Sequence, residues 1–297
     1  MRKLDLQGII VALVTPFDTH DKLDELRLRT HVDFVLENGV HGLFPCGSTG
    51  EGPKMGIEER NRVIDLVVDQ ANGRVPVLAG VASASTTEAV EATKYAENVG
   101  ADAVVILPPY YYRPSQEALK EHYETIAGAT RLPILLYNIP EFTGYSLSVD
   151  LVAKLVEEGV VVGIKDSSGD MVRFQELVRL LGSKIDLLQG LEPLYLSSFI
   201  LGTRCAVSGD SNLAPGLAVQ VYKDFISGDS EKALQDQFKL ALLDKALSRS
   251  DFIEATKQAM TYIGRPFGHA RKPSIPLSAS DSAELERVLV SLGLKSK

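Results

Sequence analysis

The stretch VVVGIKDSSGD, residues 160–170, contains the pattern on which the fold prediction rests. Its first half is rich in β-branched residues, which predicts a short buried strand. Its second half, from Asp166 to Asp170, is polar and contains a glycine, which predicts a loop. Lys165 stands at the junction of the two halves. A strand this apolar needs a sheet that is covered on both faces.

An apolar run with a polar end occurs eight times along the chain, about 20 to 35 residues apart. Segments with helical periodicity separate the runs, and this alternation is typical of βαβ units with a parallel sheet. Eight such units predict an α/β fold, a closed (β/α)₈ TIM barrel. The runs are 8–17, 41–47, 75–82, 102–109, 132–140, 160–167, 185–191 and 204–209, and the helical segments between them are 24–37, 57–71, 86–99, 116–129, 149–158, 171–181 and 193–201.

An open, doubly wound sheet is the alternative architecture. It is disfavoured because the first run ends in Thr15-Pro16-Phe17 and not in a GxGxxG motif. After the last run, residues 214–297 contain only helical segments, namely 231–246, 251–263 and 280–292. We expect the first of these to be the eighth barrel helix. The predicted division is therefore a barrel core, 1–228, followed by C-terminal helices, 229–297, which comprise the last barrel helix and a helical extension.

Composition excludes several classes of function. The chain has 297 residues, 45% of them hydrophobic and 24% charged, and a formal net charge of −8. It contains no basic block, so a nucleic-acid partner is not expected, and no apolar run of about 18 residues, so a membrane partner is not expected either. Cys46 and Cys205 are the only cysteines, which suits a reducing cytoplasm. The five histidines form no close ligand pair, so no metal site is predicted.

In a TIM barrel the chemistry lies at the carboxyl ends of the strands. Five polar loops follow the predicted strands there, and their convergence predicts one active site. Lys165 is its candidate nucleophile, because burial of an amine favours the neutral, reactive form. The alternative is a structural lysine that reaches water or pairs with Asp166. The loops are GSTGEG (47–52), PPYYYRPS (108–115), YNIPEFTG (137–144), KDSSGD (165–170) and SGDSN (208–212).

The GSTGEG loop is close to a P-loop in sequence, but Pro53 stands where the P-loop lysine should be. Its glycines allow backbone amides to face a ligand, and Ser48 and Thr49 add hydroxyl groups, so the loop suits a carboxylate. The alternative is a plain turn in which Glu51 caps the next helix. Tyr137 ends the strand before Lys165 and is either a proton-transfer group or a structural tyrosine.

Four segments, GSTGE (47–51), PYYYRPSQ (109–116), YNIPEFTG (137–144) and GIKDSSGD (163–170), resemble the dihydrodipicolinate synthase/N-acetylneuraminate lyase superfamily in order and spacing. The resemblance covers nearly the whole chain. It implies a class I pyruvate-dependent aldolase in which Lys165 forms a Schiff base with pyruvate. It also implies that the enzyme needs neither a metal nor an organic cofactor and assembles as a homotetramer.

The resemblance also assigns roles to residues. Tyr137 would relay a proton, Thr49 would hydrogen-bond Tyr137, and Tyr111 would complete the relay from a neighbouring subunit. Pyruvate would be bound by the GSTGE loop and by the backbone at the end of the eighth strand. The residues assigned to substrate binding are Gly47, Ser48, Val207, Glu192 and Phe142, where Glu192 aligns with an acidic residue that contacts the polyol chain in sialic acid lyases.

The second substrate is predicted from a departure from the family pattern. Phe142 stands where the synthases of the lysine pathway carry an arginine for the carboxylate of the aldehyde, although PYYYRPSQ is closer to those synthases. We therefore expect aldol cleavage of a 2-keto-3-deoxy sugar acid of the 2-keto-3-deoxygluconate type, giving pyruvate and an aldehyde. The alternatives are a 4-hydroxy-tetrahydrodipicolinate synthase that uses aspartate semialdehyde, an N-acetylneuraminate lyase, a keto-deoxy sugar acid dehydratase and a non-catalytic sensor.

Overall fold

The computed structural model describes residues 4–296, and its eight parallel strands form a barrel. Neighbouring strands follow the order β2-β1-β8-β7-β6-β5-β4-β3. Because β1 pairs with β8 on one side and with β2 on the other, the sheet is not doubly wound. A single bridge between Leu43 and Val77 brings β2 to β3. The predicted TIM barrel is confirmed. The strands are β1 Gly8–Ala12, β2 Gly42–Phe44, β3 Leu78–Ala82, β4 Ala103–Leu107, β5 Ile134–Asn138, β6 Gly163–Asp166, β7 Asp186–Gln189 and β8 Cys205–Ser208.

Helices connect the strands and extend beyond them at the C-terminus. Some of them begin with a side-chain cap: Asp24 accepts a hydrogen bond from the Arg27 amide, and Ser148 accepts one from the Leu151 amide. The bounds lie close to the predicted segments. The helices are α1 Glu25–Glu37, α2 Ile57–Ala71, α3 Thr86–Asn98, α4 Gln116–Ala127, α5 Pro140–Thr143, α6 Val149–Glu157, α7 Met171–Leu181, α8 Tyr195–Ile200, α9 Pro215–Ser227, α10 Ser230–Leu247, α11 Phe252–Tyr262 and α12 Ala279–Ser291.

The core has two layers because successive strand residues point to opposite faces of the sheet. Ile9, Val11 and Val104 point outward and pack against the helices. Ile10, Leu135 and their neighbours fill the barrel interior, and Tyr137 belongs to this inner cluster. Strands that are buried on both faces explain the continuous apolar runs in the sequence.

The eighth barrel helix is α9, and the prediction that it would be the segment 231–246 is wrong. α9 directly follows the turn after β8 and contacts β1, while its Ala218 and Val219 join the outer core layer. The segment starts with Pro215-Gly216, which is typical of a loop but is here the first turn of a helix, where proline is tolerated.

The C-terminal helices α10, α11 and α12 share an apolar cluster that includes Val14 and Leu213 of the barrel rim. They therefore cover the barrel where β1 and β8 end. The division into 1–228 and 229–297 falls in the link between α9 and α10 and stays a prediction, and residues 1–3 and 297 lie outside the described part. Among the helices of residues 4–296, none has the length and apolarity of a membrane span.

His31 of α1 is a buried histidine in the contact between the barrel and residues 229–297, which we call the tail. Its Nε2 lies 2.9 Å from Oδ1 of Asn212, which also accepts a hydrogen bond from the Val14 amide. Its ring packs edge-on against Phe267. Burial, with repulsion from Arg265, lowers the pKa of His31 from 6.5 to about 4. The fold therefore requires the neutral imidazole.

We expect the His31→Gln variant to lose part of the acid sensitivity of folding. Below about pH 6.5 the unfolded chain binds a proton at His31, whereas the folded chain stays neutral there down to about pH 4. Between pH 7.5 and pH 5 this difference lowers the free energy of unfolding by about 2 kcal/mol. Urea unfolding at the two pH values measures the change, and comparison with the wild type cancels the other titrating groups. The exposed His20→Gln is the control, and an unchanged pH dependence in His31→Gln would contradict the prediction.

Candidate active site

Lys165 and Tyr137 are direct neighbours in the barrel. The parallel register of β5 and β6 pairs their Cα positions, so both side chains point into the interior at the same level. The Lys165 Nζ donates a hydrogen bond to the Tyr137 hydroxyl at 2.9 Å. The amine also lies 4.1 Å from the Tyr137 ring centroid and 5.1 Å from that of Phe44. With only 5% of Lys165 exposed, an amine stands at the buried, aromatic end of a pocket.

Lys165 does not pair with Asp166, so the alternative of a structural ion pair does not hold. Asp166 is the adjacent strand residue and points the other way. It accepts hydrogen bonds from Arg173 Nε at 3.0 Å and from Asn138 Nδ2 at 2.9 Å. Gly190 leaves room for the lysine, because a Cβ there would lie 2.9 Å from Lys165 Cε. Among residues 4–296, the amine is therefore left without a carboxylate partner.

The GSTGEG loop is held in place by close backbone packing and by Glu51. A Cβ at Gly52 would lie 2.2 Å from the Cys46 carbonyl oxygen, so only glycine fits. Glu51 caps no helix, contrary to the alternative considered above. Its Oε1 instead accepts a 2.6 Å hydrogen bond from Lys257 of α11, and its Oε2 accepts one from the Arg271 amide at 2.8 Å. The tail thus fixes the loop.

Within this loop, Ser48 is the residue that hydrogen-bonds Tyr137. The Ser48 Oγ lies 3.5 Å from the Tyr137 hydroxyl. Across residues 4–296 no hydrogen bond joins Thr49 to Tyr137, so the expected Thr49–Tyr137 hydrogen bond is not present. Thr49 Oγ1 faces Gly209, at 3.3 Å from the position that a Cβ would take there. Gly47 lies behind them against the Phe44 ring.

A pocket of about 580 Å³ opens above Lys165. Both Ser48 and Thr49 line it, together with Val207 at the end of β8. Phe142, 61% exposed, also lines it. The tail supplies much of the remaining surface, which the sequence analysis did not foresee because these residues belong to no motif. They are Asp244, Ser248, Ser250, Asp251, Phe252, Ile253, Pro273, Ser274 and Ile275.

Two residues assigned to substrate binding also have structural partners. The Val207 carbonyl accepts a 2.7 Å hydrogen bond from the Tyr195 hydroxyl. Glu192 Oε1 accepts hydrogen bonds from the Ser208 hydroxyl at 3.1 Å and from the Gly209 amide at 2.6 Å, so it organises the loop after β8. Glu192 nevertheless lines the pocket, and burial raises the pKa of its carboxyl group.

Tyr111 does not line the pocket of its own subunit. It is 88% exposed, has a positive φ of 83° and packs edge-on against Tyr112 with the ring centroids 5.0 Å apart. A role for Tyr111 in the site of a neighbouring subunit stays a prediction.

The lysine–tyrosine contact beside the GSTGE loop agrees with a comparison of the whole sequence with models of protein families. The model of the dihydrodipicolinate synthetase family matches residues 5–292. The chain belongs to this family. The resemblance seen in the sequence is therefore confirmed, and with it the class of pyruvate-dependent aldolases.

Named relatives and solved structures agree with the family. The 4-hydroxy-tetrahydrodipicolinate synthase of Methanopyrus kandleri is 40% identical over 291 residues, which cover 97% of each chain. That of Thermodesulfovibrio yellowstonii is 38% identical over 292 residues, covering 97% of this chain and 99% of the relative. The dihydrodipicolinate synthase from Acinetobacter baumannii, solved with pyruvate, is 35% identical with a TM-score of 0.93, covering 97% of this chain and 99% of that one.

We expect Lys257→Met to destabilise the fold by about 3 kcal/mol, because it takes away the fully buried partner of Glu51 and leaves the partly exposed Lys54 as the charged neighbour of this buried carboxylate. Urea unfolding measures the loss, and Arg179→Met, which removes an exposed ion pair with Glu176, is the control and should change stability by less than about 1 kcal/mol. Adding Glu51→Gln to Lys257→Met should restore part of the stability. Equal effects of Lys257→Met and Arg179→Met would contradict the prediction.

Proposed function

We propose that the chain catalyses a Schiff-base reaction of pyruvate with an aldehyde, of the 4-hydroxy-tetrahydrodipicolinate synthase type, with aspartate semialdehyde as the second substrate. The observation that carries the chemistry is the 2.9 Å contact between the buried Lys165 amine and the Tyr137 hydroxyl at the closed end of the pocket. A binding protein has no need of a buried amine beside a proton donor. The choice of the synthase is supported by relatives that are up to 40% identical.

In the proposed mechanism the pyruvate carboxylate binds at the hydroxyls of Ser48 and Thr49. The Lys165 amine attacks the ketone carbon, and loss of water gives an iminium ion. The iminium accepts electrons when the adjacent methyl group loses a proton, and the resulting enamine attacks the aldehyde carbon, whose oxygen takes up a proton. Water or the amino group of aspartate semialdehyde then displaces Lys165 from the new iminium, which frees the product and restores the amine. Tyr137, in contact with the amine, transfers protons during these steps, and Ser48 is placed to hydrogen-bond it. No step requires a metal ion or an organic cofactor.

One observation favours a second candidate, aldol cleavage of a 2-keto-3-deoxy sugar acid. Phe142 offers no hydrogen-bond donor to the carboxylate of aspartate semialdehyde. Arg113 of the PPYYYRPS loop could replace the missing arginine, but it does not line the pocket. Lys54 lines it, but its amine already donates to Glu51 at 3.2 Å, to the Arg271 carbonyl at 2.9 Å and to the Ser274 hydroxyl at 2.8 Å. Three donors are thus occupied. The second candidate releases an aldehyde without a carboxylate.

We further propose a homotetramer in the cytoplasm. The exposed Tyr111–Tyr112 pair is an aromatic surface of the kind found in subunit contacts. Both cysteines, Cys46 and Cys205, are buried and free, which accords with a reducing compartment.

We expect borohydride to trap pyruvate on Lys165 of the wild type. The Lys165→Ala variant should form no adduct and should lose at least about 10³-fold in turnover, because the nucleophile is gone. Peptide mass spectrometry locates the adduct, and circular dichroism checks that the variant is folded. The exposed Lys184→Ala is the matched control and should keep both adduct and turnover. An adduct on Lys54, or no adduct in a folded enzyme saturated with pyruvate, would rule out the proposed mechanism.

We expect the wild type to condense pyruvate with aspartate semialdehyde. The Phe142→Arg variant should raise kcat/KM for this aldehyde about tenfold or more, since a charged hydrogen bond to a carboxylate contributes roughly 1.5–3 kcal/mol. The same variant should not improve the reaction with glyceraldehyde. Phe142→Leu is the control for loss of the ring. If the wild type strongly prefers glyceraldehyde, the sugar-acid aldolase replaces the synthase as the function.

A further inference from the structure

Three carboxyl groups from different elements meet at one side of the substrate pocket. Glu192 lies in the turn after β7, Asp210 in the turn after β8, and Asp244 on the tail helix α10. One oxygen from each lies within 4.8 Å of the others. Glu192 and Asp244 line the pocket, and Asp210 lies behind them. We call these three residues the acidic trio.

Asp210 is the unusual member of the acidic trio. It is 0% exposed, and within residues 4–296 neither of its carboxyl oxygens has a hydrogen-bond partner. Glu192 differs, because its Oε1 accepts hydrogen bonds from the Ser208 hydroxyl and from the backbone amides of Gly209 and Asp210. A buried carboxyl group without any partner carries a large desolvation cost. The described residues therefore supply no ligand to either Asp210 oxygen.

The acidic trio has no basic ion-pair partner in the described part of the chain. None of the ion pairs found between residues 4 and 296 includes Glu192, Asp210 or Asp244. Tyr195, which also lies against the trio, is fully buried and carries no charge that could offset it. Within the described residues, the charge of the trio is therefore left to be balanced by a bound cation or by protons.

We propose that the acidic trio binds a hard divalent cation, of the Ca²⁺, Mg²⁺ or Mn²⁺ type. All three ligands are carboxylate oxygens, which these ions prefer, and the trio contains no sulfur or imidazole for softer metals. Oxygens bound to one Ca²⁺ at about 2.3–2.6 Å lie within about 5 Å of each other, which the observed spacing of up to 4.8 Å satisfies. The ion gives Asp210 the partner that the chain does not provide.

The position of the acidic trio sets the consequence of binding. The ion joins the turns after β7 and β8 to α10, so it ties the tail to the barrel beside the pocket. Its remaining coordination positions face the pocket on the side of Glu192 and Asp244 and take water. The Lys165 amine is not one of the ligands of this site, so cation binding and Schiff-base formation can be measured separately.

The test uses the full chain after treatment with a chelator. We expect calorimetric titration with CaCl₂, MgCl₂ or MnCl₂ to show one site per chain, and the same ion to raise Tm. Asp210→Asn keeps the shape but removes a ligand charge, and should weaken binding at least tenfold and abolish the rise in Tm. Asp224→Asn, which changes a buried aspartate at the end of α9, is the matched control and should bind as the wild type does.

Several outcomes would overturn the proposal. They are the absence of heat and of any Tm change with all three ions at millimolar concentration, a response only to NaCl or KCl, and an equal response in Asp210→Asn. If Asp210→Asn does not fold, Asp244→Asn replaces it with the same expectation. Borohydride trapping of pyruvate on the same chelator-treated protein separates the cation site from the proposed enzyme mechanism. An adduct without ion binding refutes only the cation site. Ion binding without an adduct refutes only the enzyme mechanism.

Discussion

The buried ion pair between Glu51 and Lys257 connects the chemistry of the barrel to the C-terminal helices. Both side chains are fully buried, and their charged atoms lie 2.6 Å apart. Lys257 Nζ also donates to the His269 carbonyl at 3.1 Å and lies 4.5 Å from the centre of the Phe17 ring. Because an unpaired charge at this depth is strongly unfavourable, this ion pair favours the arrangement in which the loop and the tail pack together. The loop in question carries the two hydroxyls that face the pocket, so the tail is part of the site.

The reactive pair depends on a second constraint, the register between β5 and β6. Lys165 and Tyr137 occupy paired positions in parallel strands, and alternation along each strand sends both side chains inward while Asp166 and Asn138 point outward to each other. A shift of one residue would exchange the amine for the carboxylate. The same register therefore buries the amine and separates it from the nearest acid in the sequence.

The sequence was sufficient for the barrel because each strand is buried on both faces and appears as an apolar run. It was not sufficient for α9, whose Pro-Gly start looks like a loop and becomes a helix because its apolar face packs on β1. Nor was it sufficient to choose between Ser48 and Thr49 as the neighbour of Tyr137. That choice depends on loop backbone geometry, including the positive φ of Cys46 and Glu51. The acidic trio was missed because its members come from three elements that only tertiary packing brings together.

The two ends of the pocket have different origins. The closed end is formed by strand ends and by the GSTGEG loop, and these carry the motifs on which the resemblance to the family rests. The open end is formed by Phe142 and by tail residues outside any motif, including the acidic Asp244 and Asp251. Pyruvate is common to the proposed reactions and needs the same closed end in each of them, whereas the aldehyde differs and meets the open end. At the open end Phe142 carries no charge, and the tail adds the acidic Asp244 and Asp251. Selection of the second substrate therefore follows from the electrostatics of residues that the shared chemistry does not constrain.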